Sequence, residues 1–134
     1  MTVYVITGPP AAGKSAWVRE HAQPGRDITI DYDTLANALT AQPADNHSHG
    51  QHTHELTLTV RRTAIQGALK LATMLPINVF IIDSYLSPTA VAQYEEIGAT
   101  LLTLDPGKTV VMDRCRETNR PNHAITAAER WYQR

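Results

Sequence analysis

The residues that could do chemistry begin at Gly8. The segment Gly8-Pro9-Pro10-Ala11-Ala12-Gly13-Lys14-Ser15 fits the pattern G-x-x-x-x-G-K-[ST] at every constrained position. Its glycines let the backbone curl until successive N–H groups point inward, and a helix opening at Lys14 adds its positive end to the same cradle. A polyphosphate is the anion such a cradle, running from Gly8 to Ala16, is built to hold. Lys14 would reach the β- and γ-phosphates, and the hydroxyl of Ser15 would bind Mg²⁺.

Two carboxylate positions follow. In Ile30-Asp31-Tyr32-Asp33 the acids stand just past a short β-type run. In an open parallel sheet, ligands bind beyond the C-terminal ends of strands. A phosphate moving to a hydroxyl needs a carboxylate that orients the hydroxyl and takes its proton. Asp33 is assigned that role and Asp31 is the second candidate; either also fits a helix N-cap ahead of Thr34. Asp83 closes the apolar run Val79-Phe80-Ile81-Ile82, where an acid holds Mg²⁺ directly or through water. Ser84, not a glutamate, comes next, which favours transfer to an acceptor over activation of water. Arg114, Arg116, Arg120, Arg130 and Arg134 crowd the C-terminal end. A guanidinium there would stabilise the charge spread over a transferring phosphoryl group. Arg114 and Arg120 are the ones assigned this work, and Arg116 is a weaker candidate.

The elements that must position these groups are readable from pattern. Strands are expected at Thr2–Thr7, Ile28–Ile30, Asn78–Asp83 and Thr100–Leu104. Helices are expected at Lys14–His21, Thr34–Leu39, Ser87–Ile97 and from Asp105 to about Glu117. A capping box, Thr126 to Glu129, would open a last helix. Leu56, Val60, Ala64, Gly67, Ala68, Leu71 and Leu75 recur at three- and four-residue spacing, the face of a long helix. Residues 40–54 read as a polar loop. Alternation of strands with helices implies parallel strands and an α/β layered fold.

The loop carries His47, His49, His52 and His54. Without a flanking cysteine they read as part of a substrate-facing lid in preference to a Zn²⁺ site. Trp17 and Trp131 read as packing residues, and Tyr32 and Tyr85 as residues near an acceptor base. Cys115 reads as inert.

The 134 residues suit one domain, 1–134. A net charge of −1 carries no electrostatic footprint for a nucleic-acid groove. A single cysteine excludes an internal disulfide, and the N-terminal run is too short for a leader or a membrane span, so a cytoplasmic protein is expected. Length also leaves no room for the sensor and oligomerisation regions of a motor ATPase.

With these pieces placed, the chain resembles the P-loop kinase family that includes the phage polynucleotide 5′-kinase and the zeta-toxin-like small kinases. The resemblance rests on ITGPPAAGKSAWVRE, IDYDTLANAL, VFIIDSYLSP, and VVMDRCRETNRP with AITAAERWYQR. It implies a three-layer α/β/α P-loop NTPase fold, about four parallel strands in the order 2-3-1-4, and a short lid bearing Arg114. It implies Asp33 as general base, Lys14 and Ser15 on the phosphates and Mg²⁺, and Asp83 beside the acceptor or the metal. ATP is the expected donor, because NRPN lacks the N-K-x-D pattern that reads guanine. In that family an arginine three residues after the catalytic Asp meets the acceptor's phosphate; here the position is Ala36. The expected acceptor is therefore a nucleoside or nucleotide, with a nucleic-acid end as a further possibility. A nucleotide switch without an acceptor, and a toxin-like kinase of sugar nucleotides, stand as alternatives.

Overall fold

A computed structural model describes residues 2–133. Arg134, counted above among the C-terminal arginines, lies outside the described residues. The order along the chain is β1 (Val3–Thr7), α1 (Lys14–His21), β2 (Ile28–Ile30), α2 (Tyr32–Thr40), α3 (Gln51–Ala72), β3 (Val79–Ile82), α4 (Pro88–Glu96), β4 (Thr100–Thr103), α5 (Lys108–Glu117) and α6 (Asn122–Tyr132). The four strands form one parallel sheet in the order β2-β3-β1-β4. Both the expected strand count and the expected order hold.

The central strands are apolar on both sides because helices cover both faces of a parallel sheet. Alternate residues part the core in two. Val5, Ile30, Val79 and Ile81 pack under Ala68 and Ala72 of α3. Ile6, Phe80 and Ile82 pack against Val18 and Trp17 of α1. Trp17 thus packs as expected, edge-on to Phe80 and Tyr4. Each large side chain buried this way contributes about 1.5–3 kcal/mol. A third cluster joins α5 and α6 through Val111, Cys115 and Ala128.

Asp27 fixes where β2 starts. Its carboxylate accepts from the backbone N–H of Gln23 at 2.8 Å and of Asn78 at 3.0 Å. The neighbouring Arg26 guanidinium holds it well below the usual carboxylate range. Registering β2 on β3 in this way delivers the Asp31–Asp33 segment to the C-terminal edge of the sheet.

Ser87 caps α4 as expected, its hydroxyl accepting from the Ala90 N–H at 3.1 Å. Several boundaries differ from expectation, among them the start of α2 at Tyr32, which puts Asp33 inside the helix where Thr34 was expected to open it. The loop ends at Gly50, so His52 and His54 belong to α3. Gly107, not Asp105, stands at the cap of α5. The last helix starts at Asn122 behind Pro121, leaving the Thr126–Glu129 box inside it. The buried stripe of α3 is also displaced: Thr53, Thr57, Ala68 and Ala72 face inward, while Leu56, Leu71 and Leu75 are exposed. Small side chains let this helix lie close on the sheet, and the Thr57 hydroxyl is satisfied by the Thr53 carbonyl at 2.6 Å. Among the described residues no helix is long and apolar enough to cross a membrane.

Candidate active site

The phosphate loop leaves β1 through Gly8, whose φ of 151° and close approach to β4 require glycine: an added Cβ would lie 2.2 Å from the Leu104 carbonyl oxygen. Gly13, at φ 97°, turns the chain into α1, and Ala11 between them is also left-handed at 62°. Lys14 folds back over this curl. Its ammonium donates to the carbonyls of Gly8 at 2.5 Å and Pro9 at 3.1 Å. Burial pulls its pKa down to about 8, against the opposing pull of Asp31 and Asp83. Gly8 and Pro9 form the floor of the loop, while Pro10 through Ala16 line the cleft above it.

Asp31 occupies the N-cap position of α2, yet its side chain caps no backbone N–H. It accepts instead from the hydroxyls of Ser15 at 3.2 Å and Thr34 at 3.0 Å. The carboxylate that meets Ser15 is therefore the one given the lesser weight by sequence. Asp83 lines the same cleft but turns to α3: Arg61 donates to it at 3.2 Å and to the Ile82 carbonyl at 3.1 Å, and the Ser84 N–H donates to it at 2.8 Å. Arg61 was missed in the sequence because it sits inside a helix read only for its apolar face.

Asp33, in the first turn of α2, holds two imidazoles. His47 Nδ1 lies 2.9 Å from one carboxylate oxygen and His49 Nε2 lies 2.7 Å from the other. His54 Nδ1 lies 2.7 Å from the Tyr32 hydroxyl, and the ring of His49 stands edge-on to that of Tyr32. Among the described residues no three His, Cys, Asp or Glu side chains converge as a metal cage. His47 and His49 are held by Asp33, and His54 by Tyr32. Tyr32 lines the cleft as expected; Tyr85 does not, and is exposed after β3.

Arg114 and Arg120 reach the cleft from the end of α5 and the turn that follows. Arg114 donates to the Ala11 carbonyl at 3.2 Å, and Arg120 lies near enough to Lys14 to oppose its charge. Arg116 pairs with Asp113 on the exposed side of α5, away from the cleft. α6 is secured behind these arginines. Trp131 donates its indole N–H to the Ser84 carbonyl at 3.0 Å, and Tyr132 donates to Asp105 at 2.6 Å. Burial, with Asp105 second, pushes the Tyr132 hydroxyl up to about 12.

One cleft of about 1260 Å³ takes in Lys14, Ser15, Asp31, Asp33, Asp83 and Arg114. That exceeds the few hundred to about 1,000 Å³ of a typical single-ligand site. A phosphate cradle with two guanidiniums forms one end, and a carboxylate framed by aromatic rings the other. Chemically, the arrangement can hold a polyphosphate and present an oxygen base to something bound beside it.

The family model AAA_33, described as an AAA domain, matches residues 3–130. No curated protein matches the chain.

Proposed function

The chain belongs to the AAA_33 family, a P-loop nucleotide-binding family that includes many kinases, and on that premise we propose that it moves the γ-phosphate of ATP to a hydroxyl or phosphate of a nucleoside, nucleotide or polynucleotide end. The observation that carries this reading is the shared cleft, which takes in Asp33 together with Lys14 and Ser15 and is large enough for a donor and an acceptor.

Each residue then has a task. The loop N–H groups and Lys14 bind the β- and γ-phosphates, where Lys14 exchanges its carbonyl partners for phosphate oxygens. Arg114 and Arg120 offset the charge that spreads over the transferring group. Asp33 orients the acceptor hydroxyl and takes its proton. The donor set fits a hard divalent cation, since Ser15, Asp31 and Asp83 offer oxygen alone. Held by these oxygens, Mg²⁺ would supply neutralisation of the polyphosphate charge. The acceptor end, with Tyr32 and the rings around it, suits a flat base.

The test is a label-transfer screen. The protein is mixed with Mg²⁺ and radiolabelled ATP and offered nucleosides, nucleoside monophosphates, and 5′-hydroxyl DNA and RNA. Transfer to one class is expected, falling about 10²- to 10⁴-fold in Asp33→Asn while ATP still binds. If no acceptor takes label, and Asp33→Asn hydrolyses ATP as the unaltered protein does, the chain is a nucleotide switch or NTPase.

A further inference from the structure

The segment between α2 and α3 runs back along α2, pinned at two levels. At the lower level Asn37 and Asn46 exchange amides. Asn37 donates to the Asn46 backbone carbonyl at 3.0 Å and accepts from the Asn46 side chain at 3.0 Å. One helical turn toward the N-terminus, on the same face of α2, Asp33 takes His47 and His49. The histidines are two residues apart, the spacing that points two side chains of an extended segment to the same side.

An ionised carboxylate can only accept, so each ring nitrogen facing Asp33 carries its hydrogen. The two N–H groups sit on different oxygens. This leaves further lone pairs for an acceptor hydroxyl, because a carboxylate offers about four. The two tethers differ in depth. The His49 side chain is only 6% exposed and is backed by the Tyr32 ring, whereas that of His47 is 21% exposed.

We propose that His49, supported by His47, is a positioning residue that holds the Asp33 carboxylate toward the acceptor. The inference rests on Asp33 as the general base and adds what keeps that base in place. It assigns the histidine segment a part in catalysis through Asp33, with no contact to the reacting atoms.

The experiment compares His49→Phe, which keeps a ring against Tyr32 but removes the donor, with His49→Gln, which keeps an N–H near the Nε2 position. Each is made alone and with Asp33→Asn. Melting temperature and nucleotide affinity verify that every variant is folded. His49→Phe is expected to lower kcat about 10- to 100-fold, the scale of a misplaced catalytic group, with KM for ATP unchanged. His49→Gln should return most of that loss, and His49→Phe should add nothing once Asp33 is Asn. A readout independent of turnover is the ¹⁵N shift of the His49 imidazole, which should move in Asp33→Asn. Full activity in His49→Phe, or an equal further loss on top of Asp33→Asn, overturns the positioning role while leaving the base assignment standing. Full activity in Asp33→Asn removes the base assignment and the positioning role together.

Discussion

The two ends of the cleft, proposed above as its donor and acceptor sides, are made of different material. At the donor end the binding groups are backbone N–H groups, held by the left-handed turns at Ala11 and Gly13 and by the contact of Gly8 with Leu104. At the acceptor end they are side chains: Asp33, held by His47 and His49, and Tyr32, fastened by the Asn37–Asn46 exchange. A backbone cradle needs particular residues only where φ or space demands them, so it tolerates little change in a few places. A side-chain frame distributes the demand over hydrogen-bond partners far apart in sequence, so it is set by side-chain identity and not by backbone conformation. The first suits a ligand group that never varies, a polyphosphate. The second suits a group that differs from one enzyme to the next, the acceptor.

Gly8→Ala should break the donor end hardest. The new Cβ meets a backbone carbonyl at 2.2 Å and a φ of 151°, and strain of this kind costs about 3 kcal/mol or more. Calorimetry should show a Tm lower by roughly 10 °C, and titration should show nucleotide binding lost. Intact binding in this variant would mean the curl is not what holds the phosphates.

A smaller effect is expected from pH. Burial disfavours the charged form of Lys14, so the free protein loses that proton as the pH rises past about 8. Polyphosphate attracts the charged form alone. Affinity attributable to Lys14 should therefore be level below pH 8 and weaken above it, by up to about tenfold per pH unit. Lys14→Arg should flatten that limb, because a guanidinium keeps its proton. Titrations of nucleotide from pH 7 to 10 distinguish the two proteins.

Asn46→Ala should give the smallest change and separate the two ends. It removes the amide that donates to the buried Asn37 side-chain oxygen, while the bond from Asn37 to the backbone carbonyl of residue 46 survives, at a cost of about 1 kcal/mol. Chemical denaturation should register the loss while the nucleotide Kd stays at the unaltered value. A shift in Kd would show that the two ends are coupled.

The donor end was legible because glycines at fixed spacing, between an apolar strand and a helix, report backbone geometry directly. The strand order is the one implied by the resemblance that those residues raise. What lay hidden depended on tertiary contact. The leucines of α3 carry a helical period, but the fully buried positions are Thr53, Thr57, Ala68 and Ala72, with Ile65 and Leu69 half-buried against the sheet core, while Leu56 and Leu71 turn outward. Asp31 read as the second candidate base or a helix cap, and the fold puts it beside Ser15. No local pattern joins Arg61 to Asp83 or the histidines to Asp33, because those partners are 14 to 22 residues apart. Pro121 was a usable start signal for α6 that the nearby capping box obscured.

Cys115 is the one cysteine of the chain and has no exposed surface, being closed in by Val111 of its own helix and Ala128 of α6. Burial also raises its pKa, so little of it is thiolate. A thiol reagent in solution can reach it only after α6 lifts from α5, the same helix whose Trp131 rests on the Ser84 carbonyl beside the phosphate loop. The rate of alkylation is thus a clock for the undocking of that helix, built into the native sequence and read at a single atom.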